Sequence, residues 1–175
     1  MIRTMPLPLE VQASMTKFHL RTVDLDKHFE TCMEFRRDSY FTSFGTHSGF
    51  EPEMRNYRER MENRIYLLPE GNCHLWHDHR IIGQCEMKLI EASDVGYISL
   101  FYLIPEYRHQ GIGRLLHEHA IKVFTELGKR SLQLSVSMSN FQALTFYKKH
   151  GWHNSGLHPS KKNRFLMAYP LQTKR

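Results

Sequence analysis

Long apolar runs are missing from this chain. No stretch approaches the ~18 consecutive apolar residues that a membrane-crossing helix needs, which excludes a helical span. Cysteine is scarce as well. Cys32, Cys73 and Cys85 stand far apart among 175 residues, without a CxxC pair or an apolar signal segment, so the expectation is a reduced, cytoplasmic protein with no disulfide framework. No block of one charge occurs either. The net charge of +6 comes from scattered bases such as Arg36, Arg60, Arg130 and Lys161, and a nucleic-acid partner is not expected.

What is present is the composition of an ordinary globule, 41% hydrophobic and 24% charged. A chain of this length suits one domain that buries roughly two thirds of its unfolded surface. Residues 1–16, with Pro6 and Pro8 and no clear period, read as an N-terminal extension, and 17–175 as a single domain. Histidine is abundant at twelve residues. His74, His77 and His79 invite a zinc reading, but Trp76 to Arg80 has the spacing of a hairpin turn, so these rings are expected to face solvent and no metal site is expected.

Periodicity gives the element order. Phe18 to Val23 alternates as a strand, and Asp24 can cap a helix whose apolar side runs through Phe29, Cys32, Met33 and Phe35 before it frays near Thr42–Gly45. Glu51-Pro52-Glu53 opens a second helix expected to reach about Arg64. Three strands follow, at 73–77, 80–89 and 96–104, with turns short enough for an antiparallel meander. Leu115 to Leu127 has helical spacing and Gly128 suits its C-terminal stop. A strand at 132–136, a helix at 141–150 and a strand at 165–169 complete the order β-α-α-β-β-β-α-β-α-β. That is an α+β fold with a mixed, mostly antiparallel sheet flanked by helices.

Between the third meander strand and its following helix stands Arg108-His109-Gln110-Gly111-Ile112-Gly113. A glycine turn there frees backbone N–H groups at a helix N-terminus, where the helix dipole also favours phosphate. The spacing fits neither a Rossmann fingerprint nor a P-loop. The run Leu103 to Leu116 instead resembles the pyrophosphate-binding motif of the GNAT superfamily of acyl-CoA-dependent N-acetyltransferases. Asn140-Phe141-Gln142-Ala143-Leu144-Thr145-Phe146-Tyr147-Lys148-Lys149-His150-Gly151-Trp152 resembles its second cofactor-side motif, with Trp152 where Phe is usual.

The resemblance implies acetyl-CoA as acyl donor and direct transfer to a primary amine in a ternary complex. It places Arg108, His109, Gln110, Gly111, Ile112, Gly113 and Arg114 at the pyrophosphate. Leu103 and Ile104 would bond the pantetheine arm through their backbone, with the Leu103 amide directed at the acetyl carbonyl. Asn140 would cap its helix and also bond that arm. Tyr147 would be the general acid toward the leaving thiolate, a role its phenol can fill.

The base is less clear, because Tyr97 stands where some members carry Glu. Ser99 lies next on the same strand face. Glu86, in the neighbouring strand, is a candidate if burial raises its pKa, and it could equally face solvent. A water-mediated base is the further option. The acceptor, a small-molecule or peptide amine, would be chosen by residues 38–50, with Asp38 or Glu34 available to an ammonium group. The competing readings are an inert acyl-CoA-binding sensor or structural module of the same fold, and a nucleic-acid binder. A homodimer is left open.

Overall fold

In the computed structural model, residues 17–172 are described; the expected extension at 1–16 lies outside them. Strand β1 (Phe18–Thr22) is followed by helices α1 (Leu25–Phe44), α2 (Phe50–Glu53) and α3 (Tyr57–Leu67). Then come β2 (Cys73–His77), β3 (Arg80–Leu89), β4 (Val95–Leu103), α4 (Gly113–Glu126), β5 (Ser131–Ser137), α5 (Phe141–Lys149), β6 (His153–Leu157) and β7 (Arg164–Pro170). The seven strands form one sheet in the order β1-β2-β3-β4-β5-β7-β6. Every pairing is antiparallel except β4 with β5.

Local chemistry sets the helix limits. The Asp24 carboxylate caps α1 by accepting the Asp26 and Lys27 N–H groups, and Gly45, at φ 68°, ends it. Helix α4 buries Leu116, His117, Ala120, Val123 and Phe124 along one stripe, as its spacing predicts. It lies so close to the sheet that a Cβ on Gly96 would meet the Phe124 ring at 2.5 Å. The other face belongs to α1 and α3. Neighbouring residues on one strand show the division: Cys85 lies beneath His119 of α4, whereas Glu86 meets Arg36 of α1 and Arg64 of α3.

Three expectations need correction. The single helix expected from Glu51 is two, because Asn56 adopts φ 56° between them; this break lets Phe50 and Met54 as well as Tyr57 and Met61 reach one core. Strand β6 escaped the sequence reading since all five residues are exposed on the sheet edge, so no alternation marks it. The histidines do not form one solvent-facing group. His74 is buried against Gln84 at 2.9 Å, and His77 Nδ1 lies 2.8 Å from the Tyr107 hydroxyl, while His79 alone is exposed in the turn.

Candidate active site

The site grows from β4. Its register against β3 slips between Glu86 and Met87, which face Leu100 and Ile98, so Ser99 is the unpaired residue of a β-bulge. Beyond the bulge β4 also loses its other neighbour. Parallel pairing with β5 covers only Val95–Ile98 against Ser131–Leu134, and β5 continues to Ser137 paired with β7 alone. The two strands part into a cleft.

Alternation then decides which backbone groups face that cleft. The Ile104 N–H donates to the Ile82 carbonyl at 2.9 Å and is therefore committed to the β3 side. In an antiparallel ladder adjacent residues turn their polar groups to opposite edges, so the Leu103 amide points into the cleft. The sequence expectation that Leu103 and Ile104 act together is thus corrected: the Ile104 amide is already used. The Leu103 carbonyl accepts from Arg108 Nε at 2.8 Å.

At the end of β4 the chain makes a 3₁₀ turn at Pro105–Tyr107 and crosses to α4. His109 at φ 60° and Gly111 at φ 77° bend this link. Among the described residues, the backbone N–H groups of His109, Gln110, Gly111, Ile112 and Gly113 have no acceptor, and they lead into the first residue of the 14-residue helix α4. A Cβ on Gly111 would meet nothing within 4 Å, whereas one on Gly113 would stand 3.0 Å from the Phe146 ring. Gly111 serves the turn; Gly113 serves close packing on α5.

Side chains in this loop are tied to the protein. Arg108 Nη2 donates to Asp38 Oδ2 at 2.7 Å, and the Tyr102 hydroxyl donates to the same oxygen at 2.7 Å. Asp38, considered for an acceptor ammonium, is therefore engaged; Glu34 is exposed. Gln110 Nε2 donates to the Glu106 carbonyl, His109 Nε2 lies 3.0 Å from Gln142 Nε2, and Arg114 pairs with Glu118.

Across the cleft, Asn140 caps α5 by accepting the Ala143 N–H at 3.1 Å and donates to Ser43 Oγ at 3.3 Å. Ser139 Oγ donates to the Ser43 carbonyl, which brings the end of α1 to the start of α5. Tyr147 sits on α5 at 9% exposure against Trp152, and burial pushes its phenol pKa upward. Its hydroxyl has no partner among the described residues. In the 38–50 segment, Tyr40 packs on both Phe44 and Phe50, and Phe50 is only 2% exposed, so Tyr40 and Phe50 seal a core.

Glu86 is fully buried, which removes the solvent-facing alternative. It is also no raised-pKa base. Burial alone would lift its pKa, but Arg36, Arg64 and the Tyr57 hydroxyl outweigh that and hold it below the ordinary carboxylate value. Tyr57 donates at 2.5 Å and Gln84 at 2.8 Å to Oε1, while Arg64 donates at 2.8 Å to Oε2, which Arg36 also contacts. Sequence reasoning missed this network because its members come from three separate elements, α1, α3 and β3. Ser99 is half-buried; its carbonyl accepts a long 3.5 Å contact from Arg36, and its hydroxyl has no partner among the described residues.

The profile of the acetyltransferase (GNAT) family matches residues 29–152. The chain belongs to this family. Over 141 residues it is 31% identical to a putative [ribosomal protein bS18]-alanine N-acetyltransferase of Bacillus subtilis, covering 79% of this chain and 81% of that protein. A spermidine N(1)-acetyltransferase of Thermoplasma acidophilum is 36% identical over 75 residues, or 43% of this chain and 45% of that one. The PaiA N-acetyltransferase of Thermoplasma acidophilum, solved with coenzyme A, superposes with a TM-score of 0.73 over 87% of this chain and 98% of its own at 23% identity, an agreement of fold.

This GNAT protein is an acetyl-CoA-dependent acetyltransferase. Its geometry suits that cosubstrate, because a row of unengaged N–H groups adjoins a cleft between two parted strands.

Proposed function

We propose that this GNAT enzyme moves an acetyl group from acetyl-CoA directly to a primary amine while both are bound. The observation that carries this reading is the parting of β4 from β5 beyond Ile98 and Leu134, with an unpaired amide on Leu103 facing the gap. Bound there, acetyl-CoA supplies an activated acetyl thioester. The amides of His109 to Gly113 hold the pyrophosphate, helped by the α4 dipole. Arg108 and Arg114 act as positioning residues, because their side chains are already paired within the protein. The Leu103 N–H polarises the acetyl carbonyl as negative charge develops on its oxygen.

Tyr147 donates a proton to the leaving thiolate. Its support is a buried phenol with a raised pKa and a hydroxyl that has no partner among the described residues, which keeps the proton available. Ser99 sits at the bulge beside the same cleft, where its hydroxyl can bind the incoming amine or a water that takes its proton. Glu86 orders the cleft wall through Arg36 and takes no proton.

The acceptor side is cationic. Lys88 on β3 feels Arg64, Lys161 and Arg60, and Lys161 in turn feels Arg164 and Arg36 with Glu53 opposing them; burial first and the like charges next lower both ammonium pKa values. Such a rim repels a polyamine and attracts an amine that carries carboxylates, so an acidic peptide N-terminus is the acceptor class. The identity with an alanine N-acetyltransferase over four-fifths of both chains supports the same choice. Steady-state thiol release with an alanine-initiated acidic peptide, the same peptide amidated at its carboxylates, and spermidine tests it. The acidic peptide is expected to give the largest kcat/KM; preference for spermidine would refute the acceptor class, and thiol release with no amine at all would refute transfer.

A further inference from the structure

On the sheet face opposite Glu86, three donor side chains from separate segments converge. Cys73 on β2 stands directly across from Cys85 on β3 in the strand register, and His119 reaches them from α4. One donor atom from each lies within 4.8 Å of the other two. The sulfurs are buried, at 3% and 0% exposure, and neither is in a disulfide. A fourth donor adjoins them. The Glu70 carbonyl oxygen, in the 3₁₀ turn Pro69–Gly71, is 2.6 Å from His119 Nε2 and 3.2 Å from Cys73 Sγ.

We propose that Cys73, Cys85 and His119, with the Glu70 carbonyl, form a closed tetrahedral site for zinc(II). Two sulfurs and an imidazole are the donor types that zinc selects. With metal–sulfur bonds of about 2.3 Å and metal–nitrogen bonds of about 2.0 Å, donors around one tetrahedral ion stand roughly 3.3–3.8 Å apart. The three side-chain donors lie within 4.8 Å of one another, and the 2.6 and 3.2 Å approaches to the Glu70 carbonyl fall just short of that range, so His119 and Cys73 must draw back slightly from that carbonyl as the ion enters. Binding replaces the two thiol protons, which leave to solvent, and shifts the His119 proton from Nε2 to Nδ1, so the 2+ ion and two thiolates cancel in charge.

All four corners come from protein, which leaves no position for a reacting water and makes the role structural. The ion would join β2, β3 and the Pro69–Gly71 turn to α4, the helix whose first turn ends the pyrophosphate loop. The sequence concealed this site because its ligands are 12 and 34 residues apart and match no common zinc spacing. It lies away from the cleft, on the face that α4 covers, and does not depend on the acetyl-transfer reading.

Cobalt(II) is the probe. The full chain is stripped with a chelator, reduced, and titrated anaerobically with cobalt(II), then with zinc(II), while absorbance and thermal unfolding are followed. The expected result is one equivalent of cobalt with intense visible bands of a tetrahedral ion and sulfur-to-metal charge transfer, displaced by zinc, and a midpoint raised by zinc. Since Cys85→Ser alters a fully buried position, His119→Gln on the helix surface is measured beside it, and its fold is checked by circular dichroism. A folded His119→Gln protein should lose more affinity than the roughly 10- to 100-fold that losing a residue which merely orients a metal ligand costs. A reduced protein that yields no tetrahedral spectrum, or a spectrum unchanged by His119→Gln, overturns the site. So does zinc binding that leaves the unfolding midpoint where it was.

Discussion

At the residue scale, two groups divide the chemistry that either could have performed. Among the described residues the Tyr147 hydroxyl has no partner, whereas both oxygens of Glu86 are occupied. Replacing Tyr147 by Phe should lower kcat by roughly 10²-fold with the acetyl-CoA KM retained, since a general acid acts only as the thiolate leaves. Equal turnover in the substituted enzyme would strip Tyr147 of that role. Glu86→Gln should instead act on stability, leaving Arg36 and Arg64 buried and underneutralised at a cost of about 3–5 kcal/mol, read by chemical unfolding. Because the folded carboxyl lies below its ordinary value, this contribution is present above about pH 4.5 and is lost as pH falls through the folded value. The acid limb of the pH–rate profile should therefore not trace to Glu86; a limb that disappears in a folded Glu86→Gln protein would restore it as the base.

At the element scale, the link from β4 to α4 was legible because glycines, an apolar strand and an amphipathic helix are local signals. The bulge at Ser99 was not, since a bulge depends on what the partner strand does. Nor were the partners of Glu86, which sit on α1, α3 and β3 and meet only through tertiary packing. Gly111 tests the link. In the left-handed region a side chain costs about 1–2 kcal/mol, and Val adds bulk on the open side where phosphate would approach. Gly111→Val should bind acetyl-CoA at least tenfold more weakly by titration calorimetry while its unfolding midpoint drops only slightly; unchanged affinity would remove the loop from the binding site. Gly113→Ala differs in kind, because its methyl must displace the Phe146 ring and so loosens α5.

At the scale of the whole molecule, two buried imidazoles tie stability to pH. His74 is 1% exposed and His117 is 4% exposed, and His117 Nε2 accepts the Trp152 indole N–H at 2.9 Å, which fixes it as neutral. Burial pushes both from 6.5 down to about 4. Between about pH 4 and 6.5 the unfolded chain binds these protons and the folded chain does not, so stability falls as pH drops through that window and is complete above it. Each imidazole accounts for about 3 kcal/mol across the window. Urea unfolding of His117→Gln should show a shallower dependence on pH there than the parent protein; an identical slope would mean that His117 is not the group being protonated.

The α+β class was readable from the sequence because β4, β5 and α4 carry clear periods. The edge strand β6 and the sulfur–imidazole cluster were not, one for lack of a buried face and the other for lack of local spacing. The division of the sheet has a further consequence. Among the described residues, strands β1 to β4 all precede α4, and β5, β6 and β7 all follow it, so within the sheet the seam between the two antiparallel blocks is four residue pairs long. A cut in the turn at Gly128 to Arg130 would leave every antiparallel ladder whole within one piece or the other. The sheet thus divides between two fragments, which contacts such as Trp152–His117, Arg164–Glu53 and Ser139–Ser43 would have to rejoin, and catalytic activity would report on that reunion.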